Sequence, residues 1–122
     1  MSELGLKNSI EVEFPENLKL SVILKIRDNL NEPSSISLLD IVQKILKKGF
    51  QNFIFDLSKV NSVSSSGLGI ISYCQQEITF FKGRLILICD NEIVLKLFQL
   101  TELDRFVQLV NNIEEAEKLL TE

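Results

Sequence analysis

Histidine is entirely missing from this 122-residue chain. Without imidazole, Ser-His triads, Cys-His dyads and histidine-ligated metal sites are excluded. Catalysis would have to rest on carboxylates, lysine or a bound metal, so the chain is expected not to be an enzyme and to carry no cofactor. Cysteine is scarce: Cys74 and Cys89 each sit inside an apolar run and read as reduced core thiols. No apolar run reaches the length that crosses a bilayer. The opening "MSELGLKNSIEVEF" lacks the basic flank and apolar core of a signal peptide. A cytoplasmic protein without direct membrane insertion is therefore expected. Formal net charge is −4 and no basic block occurs, so no nucleic-acid partner is expected either.

What is present fits one globular domain over residues 1–122, with 45% hydrophobic and 25% charged residues. Alternation over Ile10, Val12 and Phe14, a break at Pro15-Glu16-Asn17, and renewed alternation from Leu18 to Ile26 predict an antiparallel hairpin. "RDNLNEPSS" reads as a loop. Leu38, Val42, Ile45 and Leu46 recur at helical spacing between a capping-box-like Ser37/Asp40 start and a Lys47-Lys48-Gly49 stop. "NFIFDL" and "RLILIC" are short continuous apolar runs, as in strands covered on both faces. Between them a helix starts near Ser66, with Ile70, Ile71, Cys74, Ile78 and Phe81 on one stripe. Asp90 or Asn91 caps a further helix carrying Ile93, Val94, Leu97 and Phe98. "RFVQLV" reads as a fifth strand, and Asn111 or Asn112 opens a last helix. The expected fold is thus α/β: a mixed, mostly parallel sheet of four to five strands with an N-terminal hairpin and about four helices.

The segment "VNSVSSSGLG" places Ser64, Ser65 and Ser66 just beyond the carboxyl end of a buried strand and at the mouth of a helix. A single serine suffices as an N-cap; three exceed that need. A phosphate there would add about −1.5 to −2 charge at pH 7, where unpaired amides and the helix dipole favour an anion. Gly67 and Gly69 carry no side chains and would let a macromolecule approach. The loop lacks the lysine of a phosphate-binding P-loop and is not a G-x-S-x-G nucleophile elbow. Spacing alone leaves an inert cap and a modification site both open.

The stretches "FIFDLSKVNSVSSSGLGIISY" and "KGRLILICDNEIVLKLFQLTELDRFVQLVNNIEEAEKLL" resemble the STAS domain of bacterial anti-sigma factor antagonists, most strongly from Phe53 to Leu120. The resemblance rests on Asp56-Leu57-Ser58, on the Ser-Ser-Gly-Leu-Gly loop, and on Leu100-Thr101-Glu102-Leu103-Asp104, in that order. It implies an Asp-Ser-Ser/Thr-Gly loop whose first hydroxyl is phosphorylated by an anti-sigma factor that is also a serine kinase. Matched on Gly67, that hydroxyl falls on Ser65, with Ser66 as second choice. Ser64 then stands where the family has aspartate. Asn31, in "DNLN", stands where the family often has a second acidic residue.

The resemblance implies a non-enzymatic partner-switching regulator that binds an anti-sigma factor/serine protein kinase. Ser64, Ser65, Ser66, Gly67, Leu68 and Gly69 would form the contact surface, with Asn31 beside it; Leu68 equally suits a place in the core. The losses of acid at Ser64 and Asn31 favour an alternative, an unphosphorylated STAS scaffold in a sensory or transport-associated complex. A nucleotide-binding protein or small enzyme using Gly67-Leu68-Gly69 is a third reading. A homodimer stays open.

Overall fold

Alternating apolar residues pair the first two strands. β1 (Ile10–Glu13) runs antiparallel to β2 (Ser21–Ile26), with Ile10 opposite Ile26 and Val12 opposite Leu24. β3 (Asn52–Asp56), β4 (Arg84–Ile88) and β5 (Gln108–Val110) then add in parallel, giving the order β1-β2-β3-β4-β5. The structure is a computed structural model describing residues 10–27, 29, 30 and 32–121. Four helices connect or follow the strands: α1 (Glu32–Lys47), α2 (Ser65–Phe80), α3 (Glu92–Leu100) and α4 (Ile113–Thr121). The mixed five-stranded sheet with four helices is the expected fold.

Continuous apolar runs become strands buried on both sides, because successive side chains point to opposite faces. Val22, Leu24, Ile26, Phe53, Phe55, Leu85 and Leu87 meet α1, α2 and α3 on one face. Ile23, Ile54, Ile86 and Ile88 face the other way, into a smaller core with Leu18 and Ala116 of α4. Phe53, Phe55 and Phe98 are fully buried. Each such side chain contributes roughly 1.5–3 kcal/mol of transfer free energy. Cys74 and Cys89 are free and buried, as expected.

Several boundaries differ from the sequence reading, each for a local reason. α1 begins at Glu32 and absorbs most of the expected loop. Pro33 is tolerated there because a first-turn amide has no intrahelical acceptor. Ser37 thus lies within the helix, and Asp40 pairs with Lys44 at 3.1 Å. β2 begins only at Ser21. Leu20 adopts φ 54°, which ends the hairpin turn and leaves its side chain half exposed. Ser21, expected on a polar face, is buried and donates its hydroxyl to the Lys19 carbonyl at 3.0 Å. Phe81 terminates α2 rather than extending its buried stripe, and Ile93 points outward from α3. The expected fifth strand shrinks to three residues, because Leu103–Arg105 forms a 3₁₀ turn just before it.

Caps fix the ends of the later helices. Asn91 accepts from the amides of Ile93 and Val94 at 2.9 and 3.2 Å. Asn112 accepts from the Glu115 amide at 2.9 Å, and the Glu115 carboxylate returns to the Asn111 amide at 2.9 Å. This exchange satisfies donors that a helix start leaves open.

Candidate functional site

Two connections meet at the carboxyl end of the sheet. After β3, the Leu57 amide bonds the Ile88 carbonyl at 2.8 Å, and buried Leu57, Val60 and Val63 pin the chain beyond it. Val63 pairs in parallel with Leu30, from the connection that follows β2. The Leu30 amide donates to Ser62 at 3.2 Å, and the Ser64 amide donates to Leu30 at 2.8 Å. Asn29 completes the stitch: its Oδ1 accepts from the amides of Asn61 and Ser62 at 2.9 and 3.1 Å. A side-chain carbonyl that takes two backbone donors holds a loop without regular pairing. Sequence reasoning missed Asn29; its only signal was an Asx residue in a turn-rich stretch.

The serine loop is therefore presented on a fixed base. Ser64 is the N-cap of α2, with φ −77° and ψ 172°. Its Oγ accepts from the Gly67 amide at 3.1 Å and lies 3.4 Å from Ser66 Oγ. Its carbonyl accepts from the Leu68 amide at 2.9 Å. Ser65 is exposed, and among the described residues its hydroxyl has no hydrogen-bond partner. Two of the three hydroxyls are thus occupied locally, and Ser65 Oγ is open to solvent. No acidic side chain lies in the first turn of α2. The positive end of the helix thus receives no compensating charge from its own first turn.

The two glycines have different reasons. Gly67 is buried; a Cβ there would stand 2.7 Å from the Leu30 carbonyl oxygen and 2.8 Å from Val63 Cγ1. Its missing side chain serves contact within the chain, a correction to the expectation that both glycines bare the surface. Gly69 has open space around its would-be Cβ and is exposed. Leu68 is half-buried and packs against the larger core. Ser64 to Gly69 thus share one turn beside Asn29 and Leu30, while Asn31 lies outside the described residues.

Neither thiol is poised for chemistry. Burial, with the Glu77 carboxylate adding to it, pushes the Cys74 thiol up to about 12. Cys89 is also raised, by burial above all, against a lowering hydrogen bond from the Asn91 backbone and a raising charge at Asp90. Among the described residues no group of three or more Cys, Asp or Glu side chains is set to hold a metal ion. An open groove of about 420 Å³ beside the site is lined by Lys25, Ile26, Arg27, Asp56, Ser58 and Lys59. Its Lys25 and Arg27 are ion-paired to Glu13 and Glu11 of β1. No residue from Ser64 to Gly69 lines it. Among the described residues no helix is long and apolar enough to cross a membrane.

Comparison with known proteins matches residues 9–116 to the STAS domain. A Thermotoga maritima protein provisionally named an anti-sigma factor antagonist is 34% identical over 76 residues, covering 62% of this chain and 67% of its own. The crystal structure of a T. maritima protein with the same provisional name superposes with a TM-score of 0.85 at 27% identity, covering 95% and 97% of the two chains. The anti-sigma factor antagonist SpoIIAA shares the fold in both recorded forms. Its unphosphorylated form gives a TM-score of 0.75 at 18% identity over 92% and 97% of the chains. The phosphorylated form, from Bacillus, gives 0.72 at 17% over 90% and 98%.

Proposed function

Because the chain belongs to the STAS domain family, we propose that it is a non-enzymatic partner-switching module of the anti-sigma factor antagonist kind. Its partner is an anti-sigma factor/serine protein kinase, and Ser65 is the phosphoacceptor. The observation that carries this reading is the division of labour among the three serines. Ser64 caps the helix and Ser66 leans on Ser64, whereas Ser65 Oγ is exposed and unengaged. A kinase needs a hydroxyl it can reach and align.

Unmodified, the turn from Ser64 to Gly69 meets the partner as a rigid, uncharged surface, flat at Gly69 and backed by half-buried Leu68. Phosphorylation of Ser65 inserts a dianion into that contact. A hundredfold loss of affinity corresponds to about 2.7 kcal/mol, within reach of one uncompensated charge at a close-packed interface. The clamp through Asn29 means that no large rearrangement is required. SpoIIAA, solved with and without phosphate on this same fold, supports the compatibility of the fold with such a switch. Releasing a sigma factor would be the downstream result.

A second reading keeps the docking surface and removes the switch: an unphosphorylated scaffold in a sensory or transport-associated complex. It draws support from Ser64, a neutral cap where the family has an acid that would help align substrate and metal. One experiment separates the two. Affinity capture from native cells is run with wild type and Ser65→Glu, with phosphosite mapping on the same sample. The switch predicts phosphate on Ser65 and at least a hundredfold weaker partner capture by Ser65→Glu. Equal capture by both proteins, with no phosphate on Ser65, favours the scaffold.

A further inference from the structure

The end of the sheet opposite the serine loop gathers side chains that the folding core does not use. Three connections deliver the chain into the amino ends of β2, β4 and β5. They carry six of the nine large apolar side chains that stand exposed among the described residues: Phe14, Leu20, Phe80, Phe81, Leu100 and Phe106. Phe80 is 79% exposed and stacks edge-on with Phe81, ring centroids 5.3 Å apart. Phe14 leans on Phe50 at 4.9 Å. The β1–β2 and α2–β4 connections are joined through Gln51, whose amide donates to Leu20 O at 3.0 Å and whose side chain donates to Phe81 O at 3.4 Å. These rings therefore belong to one surface.

Charge on this surface runs against the chain's net −4. Exposed Lys19, Lys47, Lys48 and Lys82 surround the phenylalanines, against exposed Glu16 and partly covered Glu77. Towards β5, Glu102 is ion-paired with Arg105 at 2.9 Å, and Asp104 is an exposed acid beside them. A groove of about 200 Å³ between α1 and α2 is lined here by Gln43, Leu46, Lys47, Glu77 and Phe81. That volume suits a single side chain and not a bound helix or strand. The apolar groups are tips on separate helix ends and turns at one end of one sheet, and separate tips on a shared end meet a plane better than a ridge.

We propose that this end is an interfacial docking surface for an anionic phospholipid bilayer. Phe80 and Phe81 enter the headgroup–acyl boundary, and Lys47, Lys48 and Lys82 lie against the headgroups. Among the described residues no helix is long and apolar enough to cross the membrane, so the contact is confined to its interface. The serine loop, at the other end of the strands, then faces away from the lipid and remains reachable by a protein partner.

The chain contains no tryptophan, so F80W supplies a single indole reporter. The full-length protein is mixed with phosphatidylglycerol/phosphatidylcholine vesicles and with pure phosphatidylcholine vesicles at about 0.1 M salt, where charges within roughly 10 Å are still felt. Binding is read by co-sedimentation, and insertion by a blue shift of F80W emission. Binding to the anionic vesicles only is expected, with loss at high salt. Each lysine near an anionic surface is worth roughly fivefold in affinity, so neutralising two would cost roughly thirtyfold and the charge reversal K47E/K48E is expected to weaken binding by more than that. F80S is expected to cost roughly tenfold or more. I93S, removing an exposed apolar residue at the opposite end of α3, is expected to change nothing; unchanged thermal melts certify the fold of each variant. Four results would overturn the proposal: no binding to anionic vesicles, full binding by both K47E/K48E and F80S, self-association that F80S abolishes without lipid binding, or capture of an acidic protein in its place.

Discussion

The two ends of the sheet are built on opposite principles. At the carboxyl end, backbone and amide groups do the holding: Asn29, Leu30, Ser62 and Ser64 bond one another, and the exposed side chains are small and hydroxylic. At the amino end, turns are forced through left-handed backbone at Leu20, Gly49 and Lys82, and the exposed side chains are large and aromatic. The difference teaches where adaptability resides. The serine end is a small polar surface held in register, which the proposed switch would reverse with one charge. The aromatic end offers area without a fixed hydrogen-bonding pattern. Yet each end depends on one glycine wedged against a carbonyl of a neighbouring loop.

Those glycines give the largest way to test the comparison. A Cβ at Gly83 would stand 1.8 Å from the Gln51 carbonyl oxygen, inside the backbone that leads into β3. Gly83→Ala is expected to cost about 3 kcal/mol in urea denaturation, as overpacking against backbone does. Gly67→Ala, at 2.7 Å from Leu30 O, is expected to cost about 2 kcal/mol, part of the clash being offset by better helix propensity. Gly69→Ala is expected to stabilise by about 0.5–1 kcal/mol, since its surroundings are open and only the propensity gain remains. If Gly67→Ala and Gly69→Ala moved together, the serine end would not be wedged against Leu30.

A loss smaller than those at Gly83 and Gly67 isolates the clamp. Asn29→Ala removes an acceptor shared by two amides and is expected to cost about 1–2 kcal/mol. Hydrogen exchange at Asn61 and Ser62 should accelerate, while amides of Gln51 and Gly83, at the far end, keep their protection. Uniform acceleration at both ends would erase the distinction drawn between them.

The smallest effect at neutral pH comes from Cys74, between the ends. Its folded thiol is raised to about 12 from an ordinary 9.0. The neutral form is the one the fold favours, so this contribution is intact below about pH 9 and is lost as pH climbs towards 12. Alkylation at pH 8 should leave Cys74 untouched until the protein unfolds. Rapid native labelling would mean that α2 opens far more readily than its packing suggests.

Much of this was legible beforehand because it depends on periodicity and capping. The strands at Asn52–Asp56 and Arg84–Ile88 were short apolar runs, and α2 began within one residue of its expected start. Other features depended on tertiary context. The α1 start at Glu32 was hidden because Pro33 and two serines suit a loop as well as a first helical turn. Leu20 and Ser21 looked like strand alternation, but a left-handed residue moved the strand start. At the candidate site, the cluster of serines was visible in the string of residues. Their unequal engagement was not, since it follows from a cap geometry that only the folded turn defines. Nor was the inward face of Gly67, which needs Leu30, 37 positions earlier in the chain, brought against it.

Strand order carries one last consequence. The five strands lie side by side in the order in which they are made, so the helices that follow β2, β3 and β4 all fall on one face. Open α/β sheets cradle nucleotides where that winding reverses and neighbouring loops part to opposite sides. From β2 to β5 the winding never reverses, so the described strands have no such parting. Both functions proposed above accordingly read their partners from the rims of the sheet.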